Sequence, residues 1–346
     1  MSEMDPAKFR RALLAWYDRN RRDLPWRRTN DPWAIHVSEI MLQQTRVAAV
    51  LPYYERFMAR YPTPAAFARA SESEMLACWA GLGYYSRARN LQKTAERIAA
   101  IGGYPRDCED IRALPGVGDY TAAAVGSIAF GHARAAMDGN AFRVFARITA
   151  EKADLRARST RERLTERAQA LIDRRRPGDF NQALMELGAT VCLPRNPQCA
   201  ACPVSHGCEA HGLGMQHQVP VKSPRQPPED VARSLLVIHS DGAVLLRRVA
   251  ANNRRLAGFW ELPEPAQVPG ARIRKKIAEF RHTIVNTNHR CLVSLASAGR
   301  RPIALELHWT PLAEISSLPL STMARKALSL AGFAPPERNH AHSARV

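Results

Sequence analysis

The sequence predicts a multidomain protein, an all-helical domain followed by an α+β domain, and three observations lead there. The chain is 346 residues long, against roughly 100 to 200 residues for an ordinary domain. Apolar residues recur at three- and four-residue spacing from Pro6 to about Ala210, the period of helices that each bury one face. Beyond a proline-rich stretch the period changes to that of strands.

Taken in order, helices are expected at Ala7–Asn20, His36–Tyr61 with a break at Pro52, Ser73–Gly81, Ser86–Ile101 and Asp179–Val191, separated by short Pro, Gly or Asp/Ser breaks. No strand alternation interrupts them. Between Glu209 and Asp230 the pattern dissolves, and Pro220, Pro224, Pro227 and Pro228 read as a semi-extended linker. Ser234–His239 and Ala243–Arg248 then flank Asp241-Gly242, a strong hairpin signal. Further strands are expected at Thr283–Ser297 and Ile303–Thr310, with a closing helix near Ser321–Leu330. The expected division is a helical domain at 1–210, a linker at 211–230, an α+β domain at 231–335 and a disordered, His-rich tail at 336–346.

The net charge of +18 suits a polyanionic partner, nucleic acid first. No apolar run reaches the roughly 18 residues a membrane helix needs, and the start, with an early acid and no apolar core, lacks a secretory signal. A cytoplasmic, nucleoid-associated protein in a reducing compartment follows as the expectation. Seven cysteines are an odd number for a disulfide framework, so metal binding is the default question. Cys78, Cys108 and Cys291 are scattered and read as packing residues. The other four read Cys192-x6-Cys199-x2-Cys202-x5-Cys208, and so tight a loop could cage tetrahedral zinc or a [4Fe–4S] cluster in a structural role.

Upstream, Leu114-Pro115-Gly116-Val117-Gly118 between helical patterns is a helix-hairpin-helix signature. Gly116 and Gly118 permit a tight turn, and the N–H groups opening the next helix form a phosphate cradle. Met137-Asp138-Gly139-Asn140 opens another helix, Ala141–Ala150, where Asp138 reads as an N-cap unless a second carboxylate joins it. Glu39 is the candidate. It interrupts a helix whose apolar side runs through Ile40, Met41, Val47, Ala48 and Leu51, although spacing alone does not bring residues 39 and 138 together. Gln44 is expected on that same apolar helical face, where a buried amide would need partners.

Asp23–Arg27, Val37–Thr45, Gly81–Asn90, Leu114–Gly118, Asp138–Asn140, Phe180–Gln182 and the cysteine loop, in that order, resemble the MutY family within the endonuclease III superfamily of DNA glycosylases. The resemblance covers most of the chain. It implies a helix-hairpin-helix glycosylase core with a [4Fe–4S] cluster on Cys192, Cys199, Cys202 and Cys208, and leaves open a monovalent or divalent cation at the hairpin. The implied activity is hydrolytic removal of adenine paired with 8-oxoguanine or guanine in double-stranded DNA, by a monomer. Glu39 would protonate adenine at N7 and help activate water, while Asp138 would stabilise the oxocarbenium-like sugar, a division that needs two well-separated pKa values. The base would be flipped out of the duplex, with Gln44 and Tyr84 wedged into the stack, Trp26, Arg27 and Gln182 lining the adenine pocket, Gly116 and Gly118 on phosphate, and Asn140 among the residues that contact the DNA.

Where the endonuclease III branch has a lysine that forms a Schiff base, this sequence has Tyr120, and a phenol cannot form that imine. The resemblance therefore implies a monofunctional enzyme in which Tyr120 assists at the sugar. A bifunctional glycosylase/lyase on oxidised pyrimidines and a non-catalytic DNA-binding metalloprotein are the alternatives. The second domain resembles the MutT-like, Nudix-related module that inspects the base opposite adenine, through Leu256–Pro263 and Phe280–Thr283, and it has no complete Nudix box. The family's Phe-Ser-His is replaced by Ile284-Val285-Asn286, which puts the strength of 8-oxoguanine preference in doubt.

Overall fold

The computed structural model describes residues 5–223, 227–250, 253, 256–284, 286–298 and 306–333. Val285, residues 299–305 with the start of the strand expected at Ile303, and the expected tail at 336–346 lie outside the described residues. Helices come first: α1 (Pro6–Asn20), α2 (Pro32–Leu42), α3 (Val47–Arg60), α4 (Pro64–Ala68), α5 (Glu72–Trp79), α6 (Ser86–Ala100), α7 (Cys108–Arg112), α8 (Asp119–Phe130), α9 (Gly139–Ile148), α10 (Arg158–Leu171), α11 (Pro177–Thr190) and α12 (Glu209–Gly212). Among the described residues no strand precedes Glu229. The chain divides into two compact units, one from Met1–Arg69 with Asn90–Pro224, the other from Ala70–Arg89 with Arg225–Val346.

In the first unit short polar side chains start the helices, each taking up N–H groups that a helix end leaves unbonded. Asp31 accepts from Trp33 and Ala34 with Pro32 in the first turn, and Asp107 accepts from Glu109. Phe9, Leu13 and Tyr17 of α1 meet Val144 and Phe145 of α9, Leu164 of α10, and Phe180, Leu184 and Leu187 of α11 in one buried core. A second core stacks Trp33, Phe57, Tyr61 and Phe67, with ring centroids 4.8 Å apart for Phe57 and Phe67. α2 packs on α8, and α9 on α11. The α9–α11 approach depends on Gly188, where a Cβ would sit 2.6 Å from Asn140 Cβ.

The helix expected over His36–Tyr61 is two helices, and the break is not at Pro52. α2 stops at Leu42, Gln43–Arg46 form a turn with Gln44 at φ 58°, and α3 runs through Pro52. Pro52 lies near the start of α3, so its missing N–H costs one bond, to the carbonyl of the exposed Ala48. After α12 the chain stays against this unit: the carbonyls of Val219 and Val221 accept from Arg147 Nε and the Leu155 N–H.

The second unit is built on a six-stranded sheet: β1 (Glu229–Ser240), β2 (Ala243–Arg248), β3 (Trp260–Glu261), β4 (Arg272–Ile284), β5 (Thr287–Ser297) and β6 (Leu307–Pro311), in the order β3-β2-β1-β5-β4 with β6 on β2. β1 and β2 are antiparallel across Asp241-Gly242, both left-handed at φ 49° and 75°, as the hairpin reading required. β1 pairs parallel with β5 over ten residues. One face, Leu235, Val237, Val244 and Val293, is covered by Met323, Ala327 and Leu328 of α13 (Thr322–Leu330), which Ser321 caps. Leu236, Ile238, Leu245 and Ala296 pack on the other face with Val268. Thr283 and Ile284 close β4 instead of opening a strand to Ser297, and β5 begins separately at Thr287. Within the same unit Tyr85 packs on Phe259 at 4.1 Å, and Arg89 donates to the Ala257 carbonyl.

Candidate active site

In the helical unit α2, the turn after it, and the starts of α3, α8 and α9 enclose, with α11, a cavity of about 820 Å³. Glu39 and Asp138, from helices a hundred residues apart, both line it. α2 is buried along most of its length, and Glu39 is carried with it to 6% exposure. Burial pushes its carboxyl up to about 7; the nearby charge of Asp138 adds to this, while the Tyr120 hydroxyl and Arg27 oppose it. Tyr120, one residue into α8, donates to Glu39 Oε2 at 2.5 Å. One oxygen of Glu39 is thereby fixed, and the other is left to carry a proton at neutral pH.

Asp138 caps α9 as its position suggests, with Oδ1 accepting from the Ala141 N–H at 2.7 Å and Oδ2 from Asn140 Nδ2 at 2.9 Å. Burial raises its pKa, against these bonds and the charge of Arg143, all of which favour the anion. The cap and the helix N-terminus hold a negative charge there, so one carboxyl is disposed to be an acid and its neighbour an anion. Asn140 also accepts from Arg143 Nη2 at 2.8 Å. Arg143 in turn donates to the carbonyls of Gly188 (2.6 Å) and Cys192 (2.8 Å), joining the cavity to the cysteine loop.

Trp26, Arg27, Gln44 and Gln182 line the same cavity. Trp26 is buried, its ring edge-on to Tyr54 at 5.1 Å, so it is a core aromatic that also presents a surface to the cavity. Gln44 is not on an apolar helical face: it follows α2 in a left-handed, exposed position, because the helix has already ended. Sequence reasoning missed Glu186, whose side chain is fully buried between Arg22 (2.7 Å) and Arg27 (2.8 Å). Burial would raise its pKa, but the two guanidiniums prevail and hold it at about 2. Arg27 is thus fixed by an ion pair as well as by the Arg22 carbonyl at 3.2 Å.

At the hairpin the two glycines differ. Gly116 is left-handed at φ 75°, and a Cβ there would meet the Asn90 side chain at 2.6 Å. Gly118 caps α8 at φ −103°, which any residue adopts; its missing side chain instead leaves open space over the helix start. Tyr84 belongs to the second unit. It is 49% exposed at φ 49°, with the Arg87 guanidinium 5.4 Å from its ring centroid, and a left-handed backbone under an exposed aromatic signals a constraint other than packing.

Cys192, Cys199, Cys202 and Cys208 line a second cavity with Val144, Arg147, Leu187 and Val191. Burial pushes the Cys202 thiol up to about 12 and raises Cys199 and Cys208, so thiolates form here only beside cationic metal. Four thiols spread around one cavity fit a [4Fe–4S] cluster, whose irons are each ligated separately. Such a cluster, with every iron held by protein, ties the loop to α9 and α11.

Two family models match the helical unit. Residues 37–170 match the model of the HhH-GPD superfamily base excision DNA repair proteins, and residues 192–208 match the iron-sulfur binding domain of endonuclease III. The loop therefore carries the iron–sulfur cluster. The chain is similar to the human adenine DNA glycosylase, 39% identical over 323 residues that cover 78% of this chain and 59% of the relative. It is 45% identical over 197 residues to the adenine DNA glycosylase of Mycolicibacterium smegmatis strain mc(2)155, covering 56% and 67%. A solved thermostable thymine-DNA glycosylase is 32% identical, with a TM-score of 0.55 over 60% of this chain and 97% of that one. The chain spans roughly three fifths of the length of its mammalian relatives. No helix among the described residues is long and apolar enough to cross a membrane.

Proposed function

The chain belongs to the adenine DNA glycosylase family within the helix-hairpin-helix superfamily of base-excision repair proteins, and on that premise we propose that it hydrolyses the N-glycosidic bond of adenine mispaired with 8-oxoguanine or guanine in duplex DNA. The observation that carries the reading is the pair of unlike carboxyls in one cavity: Glu39 raised to about 7, and Asp138 capped by N–H donors.

The adenine nucleotide leaves the stack, at a cost of roughly a few kcal/mol, and enters the cavity as a monomeric enzyme grips the duplex through the N–H groups at Gly116–Gly118. Gln44 and Tyr84 fill the gap. Trp26, Arg27 and Gln182 hold the base. Glu39 gives its proton to N7, the C1′–N9 bond breaks with its electrons going to the base, and Asp138 stabilises the cationic sugar. Glu39, now an anion steadied by Tyr120, accepts a proton from the water whose oxygen bonds C1′. Neutral adenine and an intact abasic strand result, since Tyr120 offers no amine for a Schiff base. A pyrimidine has no nitrogen equivalent to N7, so a buried acid poised near neutrality favours a purine over thymine.

The sheet unit would inspect the base opposite adenine. With Ile284-Val285-Asn286 in place of a serine-containing turn, preference for 8-oxoguanine over guanine is expected to be retained but reduced. Single-turnover excision on duplexes with adenine opposite guanine or 8-oxoguanine, and thymine opposite guanine, tests the whole proposal. Alkali-labile sites at adenine alone, without a covalent adduct on borohydride treatment, are expected; strong borohydride trapping would refute it.

A further inference from the structure

We infer that Arg46 grips a phosphodiester flanking the nucleotide that enters the cavity; this rests on the glycosylase reading above and adds a residue to it. Arg22, Arg27 and Arg46 are the three basic side chains among the residues lining the cavity. Arg22 and Arg27 are both committed to Glu186. Arg46 is exposed, makes no capping bond at the start of α3, and has no ion-pair or hydrogen-bond partner for its guanidinium among the described residues.

Its place in the chain explains why it is available. α2 ends at Leu42, Gln44 turns the backbone left-handed, and Arg46 is the last residue before α3 begins. The break therefore sets Gln44 and Arg46 on the same short turn at the cavity wall. A nucleotide cannot enter without a phosphate on each side of it, and the cavity holds the Asp138 anion, which repels those phosphates, whereas Glu186 is neutralised by Arg22 and Arg27 and Glu39 enters the reaction protonated. A free guanidinium on the wall offsets that repulsion and offers a planar fork that matches phosphate oxygens. Such a contact holds the backbone in register without reading a base.

The test uses the full-length protein with its cluster. Affinity for an adenine:guanine duplex is measured across salt concentrations for the wild type, Arg46→Ala and Arg46→Lys. The same is done with duplexes carrying a neutral methylphosphonate at each phosphodiester beside the adenosine in turn. Arg46→Ala should bind about tenfold more weakly, and the salt slope should fall by about 0.9, one phosphate's share. Arg46→Lys should recover much of the slope and part of the affinity. At one of the two positions the methylphosphonate should weaken the wild type to a similar extent and cost Arg46→Ala nothing further. Unchanged affinity and slope in Arg46→Ala, or additive losses at both positions, would overturn the inference. Failure of the function itself reads differently, as no adenine release by the wild type on any duplex.

Discussion

Replacing Tyr120 by Phe should move the alkaline limb of the excision profile upward. In the wild type, activity requires Glu39 protonated, so the rate falls as pH rises through about 7. The Tyr120 hydroxyl donates to Glu39 Oε2 and favours the ionised form, against the larger effect of burial. A hydrogen bond to a charged group contributes about 1.5–3 kcal/mol, and one pKa unit is about 1.4 kcal/mol. Removing it should raise the limb by about one unit, since water entering the gap recovers part of the bond. At pH 8 the protonated fraction of Glu39 would then rise about fivefold, although the plateau at low pH falls because the carboxyl loses its orienting partner. Single-turnover excision of adenine opposite guanine, between pH 5.5 and 9 at saturating enzyme, measures both quantities. DNA phosphates act on wild type and variant alike, so the difference between the two limbs is the informative quantity. An unmoved limb, or one displaced to lower pH, would refute the assignment of Glu39 as the titrating acid bonded to Tyr120.

Other consequences follow from the same geometry. Because the folded pKa of Glu39 lies above the unfolded value of 4.5, its ionisation opposes folding: the penalty is absent below about pH 4.5 and full above pH 7, about 3 kcal/mol at most. Glu39→Gln should therefore stabilise the protein at pH 8 and hardly at pH 5, as denaturant unfolding at the two pH values would show. Gly116→Ala should lower stability by about 2 kcal/mol, since it combines a left-handed backbone with the clash on Asn90; Gly118→Ala should melt as wild type yet bind duplex DNA more weakly, which thermal unfolding and a binding titration separate. Arg143→Met removes the donor shared by Asn140, Gly188 and Cys192, so excision should slow by about tenfold or more and the cluster's visible absorbance should fade faster on storage.

Much of this arrangement was legible as local chemistry. The cap Asp138, the Asp241-Gly242 hairpin and the helix-hairpin-helix turn are each written in two to five consecutive residues. What escaped depended on distant partners. Glu186 is a helical glutamate like many others until the fold sets it between Arg22 and Arg27, more than 150 residues away. The break at Gln43–Arg46 carries neither glycine nor proline, whereas Pro52 suggested a break that the start of α3 tolerates. β4 was missed because its first half is nearly all exposed cation, Arg272, Arg274, Lys275 and Lys276, with irregular pairing there that erases the alternation. As the outermost strand of the sheet path it needs no apolar outer face, and its charges discourage pairing with other chains.

The account stands or falls on two carboxyls acting differently on one nucleotide. Its most direct test is the single-turnover rate of adenine release by Glu39→Gln and by Asp138→Asn, with affinity for the same duplex measured alongside. Each variant should lose about a hundredfold to ten-thousandfold in rate while still binding the mispair. A rate within a few-fold of wild type in either variant, with the duplex fully bound, would contradict it.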